Sequence, residues 1–222
     1  MDLKSYLNEK REIIEESLKT YFPEPRGPAA DVIKAMNYSL FAGGKRLRPI
    51  LCMAGAEAVG GDEKEVIPVA CALELIHTYS LIHDDLPVMD NDDMRRGKPT
   101  SHKVFGEAIA LLAGDGLLTE AFHLMTETVL KERLDPRTLL NVIGMIATSA
   151  GYDGMVGGQM VDIQMAGKEV DPDIVEFIHR RKTGALITAS VRAGATLGGG
   201  DENQVKAITS YGKNIGLAFQ IS

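Results

Sequence analysis

Five aspartates, Asp84, Asp85, Asp90, Asp92 and Asp93, fall within ten residues, and Arg95 and Arg96 follow at once. A solvated acidic loop is one reading of such a run. The run, however, closes the stretch VIPVACALELIHTYSLIHDD, Val66 to Asp85, which is apolar nearly all round and predicts a helix in the middle of a bundle. Carboxylates on a buried element cost several kcal/mol each without a counter-charge, or they protonate, so a cation is expected beside them. On a regular helix Asp84 and Asp90 stand about 240° apart and cannot share an ion. Pro87 lacks an N–H and crowds the preceding turn, so the helix should end or bulge there, and a distorted turn can return both aspartates to one face.

Aspartate oxygens suit Mg²⁺, which commonly bridges protein carboxylates to substrate phosphates. An EF-hand is excluded, because counting from Asp90 places Met94, Arg95 and Ser101 where that loop needs an oxygen ligand, glycine and glutamate. The arginines point to phosphate oxygens as the third party, since a guanidinium fork pairs with them bidentately. Acids, Mg²⁺ and arginines together describe a diphosphate site. Two further basic clusters fit it. In GGKRLRP, Gly43 to Pro49, the cations Lys45, Arg46 and Arg48 follow a glycine pair at a helix junction. This is no P-loop, because position 39 is Ser and Arg46 follows the lysine. In HRRKTG, His179 to Gly184, the cations close one helix and open another. Either cluster alone would read as a basic helix cap.

The elements that must position these residues read as helix after helix. Leu3, Leu7, Ile14 and Leu18 recur at helical spacing in a first amphipathic helix, and the prolines of YFPEPRGP make a linker at residues 21 to 28. Further helices are expected over Ala29–Ala42, Ile50–Val59, Val66–Asp85, Gly116–Lys131, Arg137–Ala150, Pro172–Arg181, Gly184–Leu197 and Glu202–Phe219, with Asp135-Pro136 and Asp171-Pro172 as punctuation. No stretch sustains period-two alternation. The expectation is an all-α, single-domain bundle spanning residues 1–222.

Composition sets outer limits. The 222 residues, 45% of them hydrophobic, suffice for one globular core, and a net charge of −7 argues against general nucleic-acid binding. The charged N-terminus resembles neither a signal nor a transit peptide, and no uninterrupted apolar run reaches about 20 residues. Cys52 and Cys71 sit in apolar segments as reduced packing residues, so a soluble, cytoplasmic protein is expected.

GGKRLRP, the Asp-rich stretch from Leu75 to Leu118, GGQMVDI, RRKTGALI and GLAFQI, in this order, resemble the trans-prenyl diphosphate synthases, most of all the bacterial farnesyl diphosphate synthases. The resemblance spans nearly the whole chain. It implies an all-α isoprenoid-synthase bundle around a central cavity, a homodimer, and Mg²⁺-dependent condensation of isopentenyl diphosphate with dimethylallyl or geranyl diphosphate, with two or three Mg²⁺ per complete site. It further implies that Asp84 and Asp90 hold Mg²⁺ on the allylic diphosphate, with Asp85 adjacent as a supporting metal residue. Arg95 would bind the allylic diphosphate and Arg96 the isopentenyl one. Lys45, Arg48 and His77 complete the isopentenyl pocket; Lys182, Thr183 and Gln220 lie along the allylic side; Gln159 and Asp162 face the cavity. Without the resemblance His77 would read as a satisfied core histidine.

Ser80 lies four residues before Asp84, on nearly the same face, with Tyr79 beside it. In relatives with this motif a bulky residue five before the first aspartate limits elongation, so Tyr79 implies a stop at farnesyl. Relatives continue past FQI into a second Asp-rich motif, so the chain ending at Ser222 is expected to be truncated, with doubtful activity of its own. The alternatives are a geranylgeranyl diphosphate synthase, a class I terpene cyclase, and a non-catalytic partner subunit with the same fold. The cyclase would not need Lys45, Arg48 and Arg96.

Overall fold

A computed structural model describes residues 2–22, 24–127 and 134–221, with side chains for residues 2–22, 24–126 and 134–218. The chain is all-α, as expected, and its backbone divides into two compact units. The first comprises Met1–Arg46 and Cys71–Thr126, the second Leu47–Ala70 and Glu127–Ser222.

The first unit holds α1 (Leu3–Tyr21), α2 (Ala30–Leu40), most of α4 (Ile67–Asp84), a two-residue ladder of β1 (Met94–Arg95) and β2 (Lys98–Pro99), α5 (Ser101–Phe105) and α6 (Glu107–Glu127). Asp2 caps α1 by accepting from the Ser5 N–H. On α4, every residue from Cys71 to Ile76 is fully buried, which is what an apolar surface on all sides demands. Ile14 and Leu18 of α1, Leu40 of α2, and Leu117 and Met125 of α6 complete that core.

The second unit holds α3 (Leu47–Ala58), α7 (Pro136–Ala150), α8 (Met155–Met165), α9 (Pro172–Ile178), a π-helical turn His179–Gly184, α10 (Ala185–Leu197) and α11 (Glu202–Ile221). Asp135 and Asp171 cap α7 and α9, each followed by proline in the first turn, where its missing N–H costs nothing. The most extensive packing is α10 on α3, around Leu51, Ile187 and Val191. Glycines set its closeness: a Cβ on Gly194 would collide with the Cys52 carbonyl, and one on Gly55 with that of Val191. Gly194→Val should therefore push the helices apart and cost about 1–3 kcal/mol or more; a melting temperature equal to that of the parent would contradict it.

Several elements depart from the sequence expectation. The helix expected from Gly116 begins at Glu107, because Gly114 and Gly116 are contact points against His83 and Met36 rather than breakers. Its expected end at Lys131 lies outside the described residues. The helix expected from Ile50 starts at Leu47, since Pro49 is tolerated in a first turn. GGQMVDI forms α8, which its glycines concealed; Gly158 is where the Lys182 backbone passes too close for any side chain. The ladder β1–β2 escaped notice because two residues carry no alternation. Its turn, Arg96-Gly97, has φ of 54° and 75°, the doubly left-handed geometry of a type I′ hairpin.

Candidate active site

The Asp-rich stretch folds as a closed turn after α4. The helix ends at Asp84, the Met89 N–H donates to the Leu86 carbonyl (2.9 Å), and the Asp90 N–H donates to the Asp84 carbonyl (2.9 Å). Pro87 thus ends the helix, and the loop between the two aspartates returns so that their backbones touch. The residual self-repulsion is divided among neighbours. Asp85 is buried, and both of its oxygens accept from Arg95: Nε at 2.7 and 2.9 Å, Nη2 at 2.6 Å. Burial pushes the Asp85 carboxyl up, and the Arg95 fork counters this. Arg95 also stands 3.6 Å from Asp92, and Lys103 pairs with Asp93 at 2.7 Å, holding that exposed carboxyl below its usual range. The expected cation beside Asp85 is thus an arginine. A metal ion at Asp85 would share the carboxylate with that guanidinium.

The hairpin that presents Arg95 and Arg96 is itself pinned. Thr100 donates its hydroxyl to the Asp92 carbonyl (2.8 Å) and its N–H to that of Asp93 (3.0 Å), and the Tyr38 hydroxyl donates to the Pro99 carbonyl (2.8 Å). Arg96 points to the basic loop, where its Nη1 donates to the Gly43 carbonyl. Gly44, at φ 143°, lies against the same guanidinium, and a Cβ there would stand 2.8 Å from it. Burial pulls the Arg96 guanidinium below its ordinary value, against the attraction of Glu74.

The three cations of GGKRLRP do not act alike. Lys45 is exposed and Arg48 half-buried, but the Arg46 side chain is wholly enclosed. Its Nε donates to Glu15 (2.7 Å), its Nη1 to Glu74 (2.7 Å) and its Nη2 to the Leu40 carbonyl (2.7 Å). Sequence reasoning missed this role. The available signal was Glu74, a carboxylate in the most apolar stretch of α4. On the same helix His77 is half-buried, the Ser80 hydroxyl donates to the His77 carbonyl (2.9 Å), and the buried Tyr79 ring meets His83 edge-on at 5.7 Å. Burial and the Asp84 charge push the Tyr79 phenol up to about 12, so it stays neutral at any working pH.

In the second unit, the Lys182 ammonium donates to Asp162 at 2.6 Å, joining the π-helical turn to α8. Such turns recur at functional sites because one extra residue re-aims the side chains. Gln159, one helical turn before Asp162, is buried with neither side-chain polar atom partnered among the described residues. Thr183 is half-buried; the Gln220 side chain lies outside the described residues. Arg180 and Arg181 are occupied elsewhere, Arg180 by Glu176 (2.6 Å) and Arg181 by the Asp153 carbonyl.

Among the described residues, no group of three or more His, Cys, Asp or Glu side chains forms a cage for a metal ion. An ion that takes few protein ligands and completes its shell with water and phosphate, as Mg²⁺ does, needs no such cage.

Comparison with known proteins gives one consistent picture. The family model described as polyprenyl synthetase matches residues 30–222. The chain is 52% identical to a farnesyl diphosphate synthase of Geobacillus stearothermophilus, over all of this chain and 74% of that protein. It is 46% identical to a heterodimeric geranylgeranyl pyrophosphate synthase large subunit of Arabidopsis thaliana, over 99% of this chain and 60% of that one. Among solved structures, an FPP/GFPP synthase of Zymomonas mobilis superposes with a TM-score of 0.92 at 40% identity, covering 99% of this chain and 79% of the other. A geranyltransferase of Legionella pneumophila does so with a TM-score of 0.90 at 38% identity, covering 98% and 76%.

Proposed function

The chain belongs to the polyprenyl synthetase family, and on that premise we propose that it is a prenyltransferase condensing isopentenyl diphosphate with dimethylallyl or geranyl diphosphate to farnesyl diphosphate. The observation that carries the reading is the closed Asp84–Asp90 turn flanked by the hairpin arginines. Asp84 and Asp90 would hold Mg²⁺, with Asp85 supporting, and the ion would supply positive charge to the departing diphosphate.

The chain's own residues do the rest. Asp85 orients Arg95 for the same diphosphate, and the family resemblance assigns Lys182, held by Asp162, together with Thr183 and Gln220 to the allylic substrate. Lys45, Arg48, His77 and Arg96 receive the isopentenyl diphosphate, so that its double bond faces C1 of the allylic partner. Fixed positive charge placed where negative charge develops lowers the barrier to carbon–oxygen cleavage. The apolar face of α4 excludes water that would capture the allylic cation. After the new bond forms, the proton is lost to the released diphosphate.

Tyr79 and Ser80 stand on α4 before Asp84, where the growing chain must pass. Tyr79→Ala should shift products from fifteen toward twenty carbons or more; unchanged farnesyl output from a folded variant removes Tyr79 from that role. The exposed Leu111 and Leu112 on α6 support a homodimer seated on that helix. The Glu107–Thr126 stretch of α6 is long and apolar enough to cross a membrane, and 39% of it is buried. Cys52 and Cys71, both buried and neither in a disulfide, support a reducing, cytoplasmic setting.

The test is incubation with Mg²⁺, isopentenyl diphosphate and geranyl diphosphate, followed by chromatography of the dephosphorylated products. Farnesol is expected. Geranylgeraniol would favour the longer-chain synthase, a cyclic hydrocarbon a terpene cyclase, and activity only with an added partner a non-catalytic subunit.

A further inference from the structure

Arg46 stands between two residues of the isopentenyl pocket and yet cannot reach a ligand. Its side chain is fully enclosed, its backbone is left-handed at φ 50°, and its three nitrogens bond α1 through Glu15, α4 through Glu74, and the end of α2 through the Leu40 carbonyl. The group is unbalanced, with two carboxylates against one guanidinium, and Glu74 Oε2 is buried without a hydrogen-bond partner among the described residues. The excess negative charge bears on one nearby cation. Glu74 and Glu15 attract the Arg96 guanidinium, while Arg46 repels it. Arg96 in turn donates to the Gly43 carbonyl. The loop Gly43–Arg46 is therefore held at both ends, by Arg96 at Gly43 and by the carboxylates at Arg46, with Lys45 between them.

We propose that the Glu15–Arg46–Glu74 network is a positioning device for the isopentenyl diphosphate subsite, setting the backbone of Lys45 and the guanidinium of Arg96 for one diphosphate and not for the other. Arg46, Glu15 and Glu74 touch no substrate; they act through Lys45 and Arg96. The inference rests on the assignment of those two residues to the isopentenyl subsite. A rigid loop loses little freedom when the anion binds, and misplacement of a positioned cation by about 1 Å can cost on the order of a hundredfold.

The experiment is calorimetric titration of the parent chain, Glu74→Gln, Glu15→Gln, Arg46→Lys and Lys45→Ala with isopentenyl diphosphate and, separately, with geranyl diphosphate and Mg²⁺. Glu74→Gln keeps the shape and one acceptor, and Glu15 is 28% exposed, so folding is retained in at least the second. Expected is a Kd for isopentenyl diphosphate raised on the order of tenfold or more in both Gln variants, with geranyl diphosphate affinity unchanged. Arg46→Lys should keep only part of the parent affinity, because an ammonium preserves the charge without the fork. Equal weakening of both ligands, or no weakening in a folded Glu15→Gln or Glu74→Gln, overturns the positioning role. A parent chain that does not bind isopentenyl diphosphate, or a Lys45→Ala variant that binds it normally, instead removes the subsite assignment beneath it.

Discussion

Asp84→Ala and Asp90→Ala should each lower the rate of condensation by about a thousandfold or more while leaving the fold intact. Metal ions that neutralise a developing diphosphate charge contribute several kcal/mol to the transition state, and about 4 kcal/mol corresponds to that factor. Asp90 is exposed, so its removal leaves no buried group stranded. The informative comparison is Asp92→Ala. Asp92 belongs to the same acidic run, but it lies beside Arg95 at 3.6 Å and outside the backbone bond that closes the turn between Asp84 and Asp90. Its loss should cost less than about tenfold, in keeping with an exposed pair of small net worth. Incorporation of labelled isopentenyl diphosphate measures all three. If Asp92→Ala proved as damaging as Asp84→Ala, the assignment of the metal to the ends of the turn would fall.

Arg46→Met should destabilise the protein by about 3–5 kcal/mol, a large share of a typical folding free energy. The side chains of Arg46 and Glu74 are 0% and 2% exposed, so removing the guanidinium leaves Glu74 in the interior without its counter-charge. Glu15, at 28% exposure, can turn toward water and limits the damage on its side. The double variant Arg46→Met, Glu74→Leu removes both buried charges and should regain most of the loss, because a buried ion pair is often no more stable than apolar residues of similar volume. Urea denaturation of the two variants decides the matter. A single variant within about 1 kcal/mol of the parent would show that water reaches Glu74.

Much of the architecture was legible in the sequence because helical periodicity is local. The Asp-Pro punctuation before α7 and α9, the apolar circumference of α4 and the break at Pro87 all follow from residue types within a few positions of one another. Glycines misled where their reason lay elsewhere in the chain. Gly114, Gly116 and Gly158 look like helix breakers, but each makes room for a distant residue, His83, Met36 or the Lys182 backbone.

By itself the sequence determined the helical class and the family, and it supplied the residues proposed to handle diphosphate. Only the tertiary structure decided how the charges divide. Asp84 and Asp90 are joined through the turn, whereas Asp85 is taken by Arg95, Asp93 by Lys103, Lys182 by Asp162, and Arg46 by two glutamates from different helices. The physical reason is one of range. A carboxylate or guanidinium declares its charge in the sequence, but its partner is whichever opposite charge the packing brings within about 3 Å, often tens of residues away. A charge facing solvent and a charge locked in the interior are the same letter until the chain has folded.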